Sequence, residues 1–88
     1  MEVRLLVREA RTLKDKRQVV KSIVDRLRQN FNVSVAEIDA LDKHQLVVLG
    51  IALVGREAYA VRTTLEQITE MLRRHPVAEF LEHQLEVI

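Results

Sequence analysis

The chain has 88 residues, a formal charge of +1 and no cysteine. That length supports one packed core and falls well short of the size at which chains divide into domains, so a single domain over residues 1–88 is expected. The missing cysteines exclude disulfides, iron–sulfur clusters and thiolate zinc sites. An apolar fraction of 48% argues against a disordered chain. The longest uncharged apolar run, Leu46 to Gly55, is about half of what a membrane span needs, so no membrane association is expected. Glu2, Arg4 and Arg8 interrupt the first apolar stretch, which removes a secretory pattern and makes the cytoplasm the expected location.

Val3, Leu5 and Val7 alternate with Glu2, Arg4 and Arg8, the period-two pattern of a short first strand. Thr12 followed by Asp15 resembles a capping box and predicts a helix start, with a carboxylate in the first turn where the helix dipole favours it. Leu13, Val20, Ile23, Val24 and Leu27 then recur at helical spacing to about Asn30. Strict alternation returns in Phe31–Glu37, with Phe31, Val33 and Val35 on one face of a second strand. After a polar connection, Leu46–Val54 is apolar on both faces, as expected of a strand in the middle of a sheet. Gly55 ends it. Ala58, Val61, Leu65, Ile68 and Leu72 predict a second amphipathic helix that stops near His75, because Pro76 disfavours helix in the residue before it. Leu81, Leu85 and Val87 alternate with polar residues and predict a last strand at a sheet edge.

The order strand, helix, strand, strand, helix, strand is the ferredoxin-like βαββαβ arrangement, an α+β sandwich with two helices on one face of a four-stranded antiparallel sheet. Strands one and three are expected at its centre. The third strand has two unequal sides: Leu46, Val48, Gly50, Ala52 and Val54 on one, where small residues suit close approach of a helix, and Val47, Leu49, Ile51 and Leu53 on the other. The second side is expected to be an exposed aliphatic patch and the interface of a homodimer.

Charge is segregated along the chain. Arg8 to Arg28 holds eight Lys/Arg against three acids, a balance of +5; the whole chain is +1, so the remainder sums to −4. At about 100° per residue, Lys14, Arg17, Lys21 and Arg28 fall within roughly a 60° sector beside the apolar stripe of the first helix. They form a rail about 21 Å long at roughly 1.5 Å per residue. Together with Arg11 and Lys16 they are the candidate phosphate contacts, since such spacing meets successive phosphates without reading sequence. The competing explanation is that long cations lie beside the stripe and keep the helix solvated. The second helix mixes Arg62, Glu66, Glu70, Arg73 and Arg74 on its outer face, and that contrast favours a polyanion partner for the first.

Phe31, Tyr59 and Phe80 are the only aromatics, too few and too scattered to stack single-stranded bases on the sheet. A bound RNA would be met by helix and loops through shape and phosphate. Catalytic signals are weak. His44, His75 and His83 lie far apart, Ser22 and Ser34 have no nucleophile elbow, and two glycines make no phosphate loop. Glu37, Asp39 and Asp42 form a small acidic patch, for which a turn is a better explanation than a cation site. No catalytic residue, metal or cofactor is expected, and an enzyme using those carboxylates with a metal is a distant third option.

Glu9–Arg17 (EARTLKDKR), Phe31–Glu37 (FNVSVAE) and Leu49–Val54 (LGIALV) together resemble the YlxP-like family, a bacterial domain of unknown function, over nearly the whole chain. Members commonly have Ser at the Thr12 position and a longer first strand. Where they often have Trp-Gln-Arg, this chain has His44-Gln45-Leu46, so no contact made by that Trp or Arg transfers. The resemblance implies a ferredoxin-like fold and, because the family's genes commonly lie beside those for translation initiation and ribosome-maturation factors, a role near ribosomal RNA. The expected function is a non-enzymatic ribosome- or RNA-associated protein, with ribosomal RNA or ribosome-maturation factors as partners. The alternative is a homo-oligomeric interaction or regulatory module that binds a protein or small anion through its apolar sheet face.

Overall fold

A computed structural model describes residues 1–88. The elements run β1 (Glu2–Leu6), α1 (Leu13–Asn30), β2 (Ser34–Asp39), β3 (Leu46–Ala52), α2 (Ala58–Arg73) and β4 (Glu79–Gln84). All pairings are antiparallel and the sheet order is β2-β3-β1-β4, so β1 and β3 are central, as the doubly apolar β3 predicts. One cluster joins Val3, Leu5, Val35, Val47, Leu49 and Ile51 of the sheet to Val20, Ile23 and Leu27 of α1 and Leu65, Ile68 and Leu72 of α2. Both helices therefore cover the same face.

The capping box at Thr12 forms. Thr12 Oγ1 accepts from the Asp15 N–H at 3.1 Å, and Asp15 Oδ2 accepts from the backbone N–H groups of Thr12 (3.2 Å) and Arg11 (3.0 Å). The Arg11 N–H is the largest of the influences that hold the Asp15 carboxyl below its ordinary 3.8. At the other end, the Phe31 N–H donates to Leu27 O at 2.8 Å and finishes α1, which delays β2 to Ser34 instead of Phe31. After α2, His75 Nδ1 accepts from the N–H groups of Val77 (3.2 Å) and Ala78 (3.1 Å), a pattern for neutral imidazole. Partial burial and then the Arg26 charge hold His75 below its ordinary 6.5.

The covered face of the sheet reverses one expectation. Val47 and Leu49 are fully buried and Ile51 is 2% exposed, all under the helices, and Leu53 packs partly buried against the same core. Val47, Leu49 and Ile51 cannot be an oligomer interface, and the patch expected with Leu53 does not exist. The apolar stripes of α1 and α2 need a bulky aliphatic partner surface, and Val47, Leu49 and Ile51 provide it. The small residues serve a different purpose. A Cβ at Gly50 would lie 2.9 Å from Ile38 Cγ2, so the small side of β3 accommodates a side chain of β2, not a helix.

Each edge strand departs from regular pairing once. In β2, Glu37 pairs with Leu49 and Asp39 with Val48, leaving Ile38 as the extra residue. In β4, Phe80 pairs with Leu5 and Glu82 with Arg4, leaving Leu81. Bulges of this kind bend an edge and end its alternation. β4 accordingly starts earlier than predicted, with Phe80 turned inward, its ring 4.4 Å from the Arg73 guanidinium, and Leu81 exposed.

Candidate functional site

The flank of α1 facing away from α2 is cationic, but its members differ in what they are free to do. Arg11, Lys14 and Arg17 are exposed, and none of them belongs to an ion pair of the molecule. Lys21 is exposed and pairs with Asp25 one turn on, at 2.8 Å. Such exposed pairs contribute a few tenths of a kcal/mol, and a phosphate can displace them. The Arg28 guanidinium donates to the Val35 carbonyl at 3.2 Å, which places this end of the rail beside edge strand β2. Arg8 pairs with Glu79 at 2.7 Å and is directed toward β4, away from the rail.

Lys16 must be removed from the contact set. Its side chain is completely buried and its ammonium has three internal partners: Glu37 Oε2 at 2.7 Å, Ala40 O at 2.9 Å and Leu46 O at 3.2 Å. The two carbonyls take directed hydrogen bonds. The carboxylate oxygen is held by proximity of charge, since no donor reaches it at a hydrogen-bonding angle. The reason is positional: Lys16 stands four, seven and eleven residues before Val20, Ile23 and Leu27, in the middle of the buried stripe. No external anion reaches Nζ while this arrangement persists.

The same geometry dissolves the acidic patch. Glu37 turns inward to Lys16, and Asp39 Oδ1 accepts from the Ala40 N–H at 2.7 Å, leaving only Asp39 and Asp42 exposed. Ala40 has φ 56°, in the left-handed region that costs an L-residue roughly 1–2 kcal/mol. Its carbonyl compensates by accepting twice, from Lys16 Nζ and from the Lys43 N–H at 3.0 Å.

His44, His75 and His83 stay on separate elements, and no group of three or more His, Asp or Glu side chains converges on a common point. The groove between the helices sets Arg26 and Arg74 against Glu66 and Glu70, so it is electrically mixed. The outer flank of α1 remains the concentrated charge of the molecule. Gln45, to which sequence patterning gave no role, joins two connections: its Nε2 donates to Arg8 O at 2.9 Å and to Ala10 O at 3.4 Å.

A β2-β3-β1-β4 sheet with both helices on one face defines a ferredoxin-like α+β protein. The chain belongs to the family described as "Protein of unknown function (DUF503)", whose profile matches residues 1–85. It is similar to "Uncharacterized protein YlxP" of Bacillus subtilis (strain 168), at 32% identity over 78 residues that span 89% of this chain and 85% of the relative. The family resemblance carried by the Glu9–Arg17, Phe31–Glu37 and Leu49–Val54 segments is thus established. No helix is long and apolar enough to cross a membrane.

Proposed function

We propose that this protein is a non-enzymatic, cytoplasmic RNA- or ribosome-associated protein that meets phosphates with the outer flank of α1. The observation that supports this most is the exposed set Arg11, Lys14 and Arg17, with no carboxylate in ion-pair contact, continued by Lys21 and Arg28. Five cations on one flank suit a sequence-independent backbone contact. The scarcity of aromatics favours a structured RNA over an unstacked strand. The family's gene neighbourhood, implied by the resemblance, points toward ribosomal RNA.

With about three to five phosphates neutralised, the logarithm of affinity should fall against the logarithm of salt concentration with a slope of about −2 to −4.5, taking roughly 0.7–0.9 per contact. The measurement is fluorescence anisotropy of a labelled mixed-sequence RNA duplex across a salt series. Reversing Lys14, Arg17 and Lys21 to Glu should abolish binding while the far-ultraviolet circular dichroism stays unchanged. Equal affinity in the folded triple variant would end this assignment.

A second reading is a homo-oligomeric interaction module, and one observation favours it. The sheet face without helices exposes Ile38 by 52%, near the Val48–Gly50 stretch of β3, and Leu81 is 46% exposed in β4. In that reading the interface is the open face and not the Val47–Leu53 side.

A further inference from the structure

Two connections meet where β1 and β2 end and β3 begins: residues 7–12, between β1 and α1, and residues 40–45, between β2 and β3. Hydrogen bonds fasten them to each other and to α1. The Val7 N–H donates to Gln45 O at 2.8 Å, while the Gln45 side chain returns to Arg8 O and Ala10 O. From beneath, the buried Lys16 ammonium holds Ala40 O and Leu46 O, the two ends of the β2–β3 connection, and is itself held by Glu37.

The turn so fixed keeps a strained residue, Ala40, yet leaves Leu41, Asp42, Lys43 and His44 exposed. Backbone strain that surrounding contacts over-determine suggests that the position of the turn matters. Lys43 is joined to α1 through a single shared acceptor, since Ala40 O takes both the Lys43 N–H and Lys16 Nζ. The first two turns of α1 hold Lys14 and Arg17, and Arg11 stands just before the helix. Among the acids at this end, Glu37 is paired with Lys16, while Asp15 accepts from the helix cap and Asp39 from the Ala40 N–H. Asp39, Asp42 and Glu9 are exposed and none of them has a cation partner, so Lys43 supplies the turn's one positive side chain against two flanking carboxylates.

We propose that the β2–β3 turn is a second contact element of the same phosphate-binding surface, with Lys43 as the contact and the buried Lys16–Glu37 pair as the device that positions it. This rests on the RNA reading. The row of contacts then begins on the turn, passes Arg11, Lys14 and Arg17, and continues along α1, with His44 as a neighbouring hydrogen-bond donor. Lys16 is a positioning residue and touches no phosphate.

The test uses the full chain and a fluorescein-labelled mixed-sequence RNA duplex. Lys43→Gln should weaken binding about tenfold near 50 mM salt and flatten the salt slope by roughly 0.7–0.9, the signature of one lost contact. Lys16→Met by itself threatens folding, so the paired variant Lys16→Met/Glu37→Leu, which removes both buried charges, serves as the second background. In that background, checked for native circular dichroism, affinity should already be reduced, and Lys43→Gln should lower it no further. An unchanged affinity and slope for Lys43→Gln, with the wild type binding, would overturn the contact. An equal effect of Lys43→Gln in both backgrounds would overturn the positioning role. Failure of the wild type to bind the duplex removes the RNA reading itself and this extension with it.

Discussion

Lys16 shows how one side chain can change role when it is placed by its helix instead of by its charge. Among the six cations proposed from sequence it is the one that faces inward, and its partner Glu37 faces it from β2. Both orientations were legible. Lys16 shares the spacing of Val20, Ile23 and Leu27, and Glu37 continues the inward alternation of Val33 and Val35. Two opposite charges on two buried faces announce an internal pair; grouping residues by charge alone hides it. The energetic consequence is lopsided. Lys16→Met leaves Glu37 buried beside no cation and should cost about 3–5 kcal/mol in urea unfolding, whereas Lys16→Met/Glu37→Leu should lie near the wild type or above it. Equal losses in the single and paired variants would show that the two charges are not coupled.

At the level of elements, local signals were reliable where one element terminates on its own residues. The α1 start is one, because Thr12 and Asp15 satisfy each other's backbone N–H groups without help from the rest of the fold. Thr12→Ala should therefore cost about 1 kcal/mol, read from the urea midpoint. The sign for Asp15 follows from its lowered folded-state pKa: its ionised form stabilises the protein fully above the ordinary 3.8, and that contribution is lost as pH falls through the lower folded value. Asp15→Asn should destabilise at neutral pH, and the difference from wild type should shrink in acid. Unfolding curves at pH 7 and near pH 3 make the comparison. Strand limits were less legible. The bulges at Ile38 and Leu81 arise from pairing across strands distant in sequence, and alternation within one strand has no knowledge of its neighbour's register.

For the whole molecule, the decisive question was which side of β3 the helices would cover. The reversal makes a clear prediction. Leu49→Asp places an unpaired charge in the core and should prevent folding, while Ile38→Asp and Leu81→Asp, on exposed bulge residues, should leave the fold intact. Circular dichroism separates the two classes. If sedimentation shows the wild type to be an oligomer, Ile38→Asp should yield a folded monomer; an oligomer unaffected by it and by Leu81→Asp would exclude the open face. Charge segregation also belongs to this scale. The helix–helix groove is electrically mixed while the outer flank of α1 is cationic, so the unpaired cations Arg11, Lys14 and Arg17 gather on one side of the molecule.

Period-two and helical spacing, a capping box and a doubly apolar strand were enough to determine the element order, the sheet centre and the cationic sector at Lys14, Arg17, Lys21 and Arg28. These properties depend on neighbours within a few residues, and backbone geometry fixes them locally. Tertiary structure decided which face of β3 is covered, that Lys16 is unavailable, that Gln45 ties two connections together and that Ala40 O is tied to α1. Each depends on groups that meet only after the chain has folded: a helix stripe choosing the bulkier sheet face, an ammonium finding carbonyls 24 and 30 residues away, and an edge side chain filling the space above a glycine.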